Sequence, residues 1–296
     1  MNELKLRIAG IVISVTSPDT SIGFKVDDAY RLFITDGKPD AVFRVHYGSL
    51  PKYELEEEIF DSGTIWCLYR SKGKYILNMP SRTAVLDSDF KSGKIYIKPS
   101  SPSFVHSYPL DYPMYEILMI NWLSKGWGVM MHACGVNHNG GGLIFAGTSG
   151  AGKSTVADLW KTRIMQLKSR SLKKSKNLEQ SKNIILLSDD RIIIRKIDGR
   201  FLIFGTPWHG DSKVCSPEEA PLEKIFFLKQ ARKNKIKKID PIKAVSRLIV
   251  CCFPPFWDKN GMQFTLNFCA ELTQKISCYE LDFVPDKGVL DLVRSI

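Results

Sequence analysis

The residues best equipped for chemistry form one run, Gly147-Thr148-Ser149-Gly150-Ala151-Gly152-Lys153-Ser154, which satisfies G-x-x-x-x-G-K-[ST] at every fixed position. Glycines let successive backbone N–H groups turn inward on a phosphate, where a side chain would block the approach. Lys153 offers a charge for β- and γ-phosphates, the Ser154 hydroxyl suits Mg²⁺, and Thr155 extends the loop into the next element. The pattern therefore predicts a nucleotide site, with ATP or another nucleoside phosphate donor and Mg²⁺ as its cofactors.

A second cluster is Asp189-Asp190, closing the apolar run Ile184-Ile-Leu-Leu-Ser188, 36 residues after Lys153. Carboxylates at a strand tip beside a phosphate loop divide naturally into one that holds the metal and one that takes a proton from an attacking hydroxyl. His132, 15 residues before Gly147, belongs to a strand whose alternation leaves open which face the imidazole takes. His138 reads as a turn residue, and Asp27-Asp28 as a surface turn. Gly205-Thr-Pro-Trp208-His209-Gly210-Asp211 follows another apolar strand; a turn explains its Gly and Pro, whereas Trp208, His209 and Asp211 suit a substrate- or phosphate-facing role.

These groups need elements to hold them. Leu143–Ala146 reads as a buried strand entering the loop and Ser154–Trp160 as a helix leaving it, its N-terminus toward the phosphates. The strand Trp127–Val136 and the turn Asn137–Gly142 make a hairpin before the loop, which predicts a mixed sheet. Met114, Ile117, Leu118, Trp122 and Leu123 fall at helical spacing, and Gly126 ends that run. Upstream, short β-branched and aromatic segments, such as Ile8–Val15, Ala41–Tyr47, Thr64–Arg70, Lys74–Met79 and Lys94–Lys98, predict an antiparallel sheet. The fold class is thus α/β (α+β): a β-rich region over 1–105, then a phosphate-loop domain over 106–296, with the junction in the Pro/Ser-rich stretch near 99–113. Residues 166–183 are rich in Lys, Ser, Asn and Gln and read as a mobile basic insertion.

The net charge of +11 is concentrated: 161–182 carries +7 and 224–247 carries +8, which leaves −4 for the rest. Neither stretch interleaves aromatics as a single-strand binder does, so nucleic acid is not the expected partner; the run 229–247 could instead guide an acidic peptide. No apolar run reaches membrane-spanning length, and the N-terminus lacks the apolar core of a signal peptide. Seven cysteines without C-x-x-C spacing read as buried thiols of a reducing cytoplasm.

In this order, His132-x-x-Gly135-Val136, Gly142–Thr155 and Leu187-Ser-Asp-Asp-Arg191 resemble the C-terminal catalytic domain of the HPr kinase/phosphorylase family, over residues 112–250. The resemblance implies the nucleotide fold shared with phosphoenolpyruvate carboxykinases. It implies that Lys153 and the loop amides hold phosphates, that Ser154 and Asp189 bind Mg²⁺, that Asp190 is the base toward a serine and that His132 sits near the transferred phosphate. The two aspartates' parts could be exchanged. The Glu-x-Arg-Gly segment of HPr kinases is absent, and Gly205–Asp211 stands near its place. With an unlike N-terminal region as well, the chain looks closer to HPr-kinase-like proteins that accompany modified-peptide biosynthesis, some of which phosphorylate serine on such peptides. The expected function is ATP/Mg²⁺-dependent transfer of the γ-phosphate to a serine of a peptide or protein. A small-molecule alcohol kinase and a nucleotide-binding regulatory module without transfer are the alternatives. HPr kinases are hexameric, so a homo-oligomer is an open expectation.

Overall fold

A computed structural model describes residues 2–19, 23–98, 108–171 and 183–296. The chain has mixed α/β content and divides into two compact units, Met1–Trp122 and Leu123–Ile296, each built on its own eight-stranded mixed sheet. The stretch 99–107, where the junction was expected, lies outside the described residues.

In the first unit, β1 (Asn2–Ile8) and β2 (Ile11–Ser17) form a hairpin around Ala9-Gly10, splitting what the sequence reads as one strand. β3 (Ala41–Tyr47), β4 (Glu57–Asp61), β5 (Cys67–Ser71), β6 (Lys74–Met79), β7 (Arg82–Leu86) and β8 (Ser92–Ile97) complete the order β1-β2-β3-β8-β7-β6-β5-β4. The expected antiparallel sheet is corrected: β2–β3 and β3–β8 are parallel. Long excursions separate both pairs, including α1 (Asp28–Arg31), and only a crossover of such length can return a strand parallel to its neighbour. Asp27 caps α1 through the Tyr30 amide, and Asp28 pairs with Arg31. The helix α2 (Met114–Trp122) buries Met114, Tyr115, Ile117, Leu118, Met119 and Trp122, so it is apolar around most of its circumference, as a core helix must be.

The second unit carries the loop. β9 (Val129–His138) and β10 (Gly141–Ala146) form the expected hairpin, closed by Asn139 and Gly140, both at positive φ as a two-residue turn of this hand demands. After α3 (Lys153–Ser171) come β11 (Ile184–Ser188), β12 (Arg191–Ile197), β13 (Arg200–Phe204) and the long β14 (Glu219–Gln230). β14 runs parallel to β10, which makes this sheet mixed as well. β15 (Lys235–Lys238), α4 (Pro241–Cys251), α5 (Lys259–Lys275), β16 (Ser277–Phe283) and α6 (Gly288–Arg294) follow, with β15 at the sheet edge.

Both faces of this sheet are covered. Ile144 and Ala146 of β10 enter a core shared with Ala244 and Leu248 of α4 and with Phe268 and Leu272 of α5. Leu143 and Phe145 enter the opposite one, with Val156 and Trp160 of α3 and Val289 of α6. Covering on two sides is why β10 is buried throughout rather than alternating. Of the expected basic insertion, residues 166–171 are the last turns of α3, and 172–182 lie outside the described residues. All seven cysteines are free; five are buried, while Cys67 and Cys215 are half-buried. No helix among the described residues is long and apolar enough to cross a membrane.

Candidate functional site

The run Gly147–Gly152 joins the end of β10 to the start of α3. Gly150 and Gly152 take φ values of +77° and +104°, and a Cβ at Gly152 would collide with the Phe283 ring. Side chains are thus excluded for two separate reasons, backbone conformation and space. The first turn of α3 contains no acidic residue, so its unsatisfied N–H groups and the positive end of the helix dipole face the loop unopposed.

Lys153, the first residue of α3, is 6% exposed. Its Nζ donates to the carbonyls of Gly147 (3.1 Å) and Thr148 (3.0 Å), and no carboxylate pairs with it among the described residues. Burial pushes its pKa down, opposed chiefly by the charge of Asp190. A buried cation whose hydrogen bonds go to neutral carbonyls keeps its full positive charge at the loop. On the loop's other flank, Gln230 at the end of β14 donates to the Gly150 carbonyl (2.8 Å).

The two adjacent aspartates have different environments. Asp189 is 1% exposed, and its carboxylate accepts from the amides of Gly210 (3.0 Å), Ser212 (2.8 Å) and Val214 (3.1 Å). It pins the loop after β13 and lies outside the cleft lining. Asp190 faces the cleft: Oδ1 is 2.9 Å from His132 Nε2, and Oδ2 is 3.6 Å from Arg191 Nε. Burial raises the Asp190 pKa, but the His132 hydrogen bond, Arg191 and Lys153 together outweigh it, so the carboxyl is held below its ordinary range. The Asp190 carbonyl accepts from the Ala133 amide, and β9 pairs with β12 through His132↔Arg191, which places imidazole and carboxylate side by side.

Ser188 organises the turn between β11 and β12. Its Oγ accepts from the amides of Asp190 and Arg191 (3.3 Å each) and donates to the Trp208 carbonyl (3.1 Å). Thr206 Oγ1 donates to the Arg191 carbonyl (2.7 Å), and Ser212 Oγ to the Ser154 carbonyl (3.1 Å). The loop over 205–214 is thereby stitched both to the aspartates and to the start of α3.

The cleft, about 330 Å³, is lined by Ser149, Gly150 and Gly152–Thr155 of the loop, and by His132, Asp190, Gly210, Asp211 and Gln230 around it. Of the three residues predicted to face a substrate, only Asp211 lines it. Trp208 is buried, its carbonyl held by Ser188, and His209 is exposed, with Nδ1 turned to the Gly210 carbonyl (3.1 Å). Gly210 belongs to the run Gly205–Asp211 marked from the sequence, whereas spacing alone did not mark Gln230, which arrives at the end of β14. The residues present fit a polyphosphate with a cation: glycine amides, a helix N-terminus and Lys153 on one wall, and the Ser154 hydroxyl with two carboxylates, Asp190 and Asp211, around the opening. Among the described residues no group of three or more His, Cys, Asp or Glu gathers by itself, so a divalent ion here would need phosphate oxygens to complete its shell. No family model matches the chain, and neither does any curated protein.

Proposed function

We propose that this chain is an ATP- and Mg²⁺-dependent kinase that transfers the γ-phosphate to a serine hydroxyl of a peptide or protein, with a second unit of the HPr kinase/phosphoenolpyruvate carboxykinase type. The observation that carries the reading is the cleft itself: the buried Lys153, free of any acidic partner among the described residues, faces the same space as the His132–Asp190 pair. An anion-binding wall opposite a positioned carboxylate is what transfer to a hydroxyl needs, because such chemistry is mostly orientation and charge neutralisation. The antiparallel hairpin leading into the loop agrees with the resemblance to HPr kinases.

ATP supplies the phosphoryl group, and Mg²⁺ the charge that neutralises its oxygens. The chain does the rest. The loop amides and Lys153 fix the phosphates, and Ser154 with Asp211 would hold the cation. Asp189 keeps a positioning part, holding the 205–214 loop so that Asp211 lines the cleft; this replaces the metal contact implied by the resemblance. Asp190 accepts the proton of the attacking hydroxyl as its oxygen bonds to phosphorus. The depressed pKa keeps this carboxylate ionised at neutral pH, and the late proton transfer of a loose transition state tolerates so weak a base. His132 orients it.

The deciding experiment is transfer of labelled γ-phosphate from Mg²⁺-ATP into a serine peptide library and into free serine, with Lys153→Ala as control and ATP affinity measured in parallel. Label in peptides, absent with the variant, is the expected result. Label only in the free amino acid makes the chain a small-molecule kinase. ATP binding without transfer makes it a regulatory module, and a wild-type chain that does not bind ATP ends the reading.

A further inference from the structure

A second opening touches the glycine loop. It is a slot of about 290 Å³ lined by Ala146, Phe227, Leu228, Val250 and Cys251, together with Gly147 and Thr148 of the loop and Ser246 and Arg247 of α4. Phe227 and Cys251 are buried and Val250 is 68% exposed, so the lining is apolar from floor to mouth. Its polar side chains on α4 are already engaged. Arg247 Nη2 pairs with Glu280 Oε2, and the guanidinium lies 5.8 Å from the centre of the Phe227 ring. Ser246 Oγ donates to the Lys243 carbonyl (2.9 Å). Burial pushes the Cys251 pKa up, so this thiol stays protonated and neutral.

Position gives the slot a meaning. The lysine of such a loop serves the β- and γ-phosphates. The Lys153 ammonium rests on the carbonyls of Gly147 and Thr148, the two loop residues that line the slot. The transferable end of a bound triphosphate therefore comes to this part of the loop. Ser149 and Gly150, next in the chain, line the cleft that contains Asp190. The three Cα–Cα steps from Gly147 to Gly150 cover at most about 11 Å, the reach of three or four extended residues. The wall formed by α4 leads the same way. After Val250 and Cys251, Cys252 bridges to Met131, and the Phe253 ring stands 6.1 Å from that of His132.

We propose that the slot is a specificity pocket for an apolar side chain standing within about four residues of the acceptor serine in the substrate polypeptide. The inference rests on the kinase reading of the cleft and adds the residue that selects the substrate. Apolar walls reward each inserted methylene and leave the hydrogen bonds of a polar side chain unmet. A nucleobase would suit the same walls, but it is carried on the α-phosphate, away from the end that Lys153 serves.

The test uses the full chain, Mg²⁺-ATP and a positional-scanning library of serine peptides. One position, from about −4 to +4 around the serine, is fixed as leucine, phenylalanine, alanine or asparagine while the others are degenerate. Labelling at limiting peptide reports relative kcat/KM. One position should favour leucine or phenylalanine over alanine and asparagine roughly tenfold or more. Val250→Asp charges the mouth and Ser246→Phe fills the slot, both at exposed positions. Each should cut that preference to about twofold while KM for ATP stays within about threefold. Transfer to these peptides with no apolar preference at any position overturns the proposal and leaves the kinase reading standing. So does a preference that both variants retain. A raised KM for ATP in both variants, with the peptide preference unchanged, gives the slot to the nucleoside and also overturns it. ATP binding without transfer to any peptide sinks the kinase reading, and the proposal falls with it.

Discussion

Two consecutive carboxylates serve opposite ends because three amides claim one of them. Asp190→Asn should lower phosphate transfer by about 10²–10⁴-fold while ATP affinity stays within about threefold, measured by single-turnover kinetics and calorimetry. Asp189→Asn should act first on the fold: an amide cannot accept as a carboxylate does from the amides of Gly210, Ser212 and Val214, and about 2–4 kcal/mol of stability should be lost in urea denaturation. The Asp190 pKa also gives a pH dependence of definite sign. Its folded value lies below the unfolded one, so its stabilisation is present above the unfolded pKa of about 3.9 and is lost as pH falls through the depressed folded value. The difference in urea midpoint between the wild type and Asp190→Asn should accordingly narrow as pH drops below about 4 and be flat at neutral pH.

The glycine loop depends on its neighbours as well as on its own sequence. Gly152 meets β16 through Phe283, 131 residues away in the chain, and takes a φ of +104°. Gly152→Ala should cost about 1–3 kcal/mol and weaken ATP binding at least about tenfold. Adding Phe283→Ala should relieve the collision but not the backbone strain, so the double variant recovers part of the ATP affinity. Full recovery would show that space alone mattered, and no recovery that φ alone did. Much at this scale was legible beforehand: the strand–loop–helix order around Lys153, the hairpin before it and the strand ending in Asp189-Asp190 all arise from apolar runs bounded by glycine and polar residues. The parallel pairs of the first sheet were not legible, because alternation identifies a strand without naming its partner.

Over the whole chain, the second unit closes its own core. The two hydrophobic clusters around the glycine loop draw only on residues after Leu123, so a chain of residues 123–296 should unfold cooperatively and bind ATP within about threefold of the full-length affinity. Failure of this fragment to fold would place part of its stability in residues 1–122. Charge also belongs to this scale: the +8 of residues 224–247 reads in one dimension as a basic run, yet Arg247 pairs with Glu280 and Lys229 with Asp282, whereas Arg232, Lys233 and Lys235 keep their charge exposed.

The sequence by itself determined the phosphate-cradle pattern, the elements around it and the candidate acidic and imidazole groups, His132, Asp189, Asp190, His209 and Asp211, because those features are local: spacing, glycine conformation and apolar periodicity need no distant partner. Only the tertiary structure decided what each group does with its position. Strand pairing His132↔Arg191 brought the imidazole to Asp190, the returning 205–214 loop took Asp189 for its amides, and β14 delivered Gln230 to Gly150. Trp208 was buried and Asp211 left at the cleft by the same loop. These outcomes rest on contacts between residues 20 to 80 positions apart, set by how the sheet closes, and no local pattern in the chain encodes them.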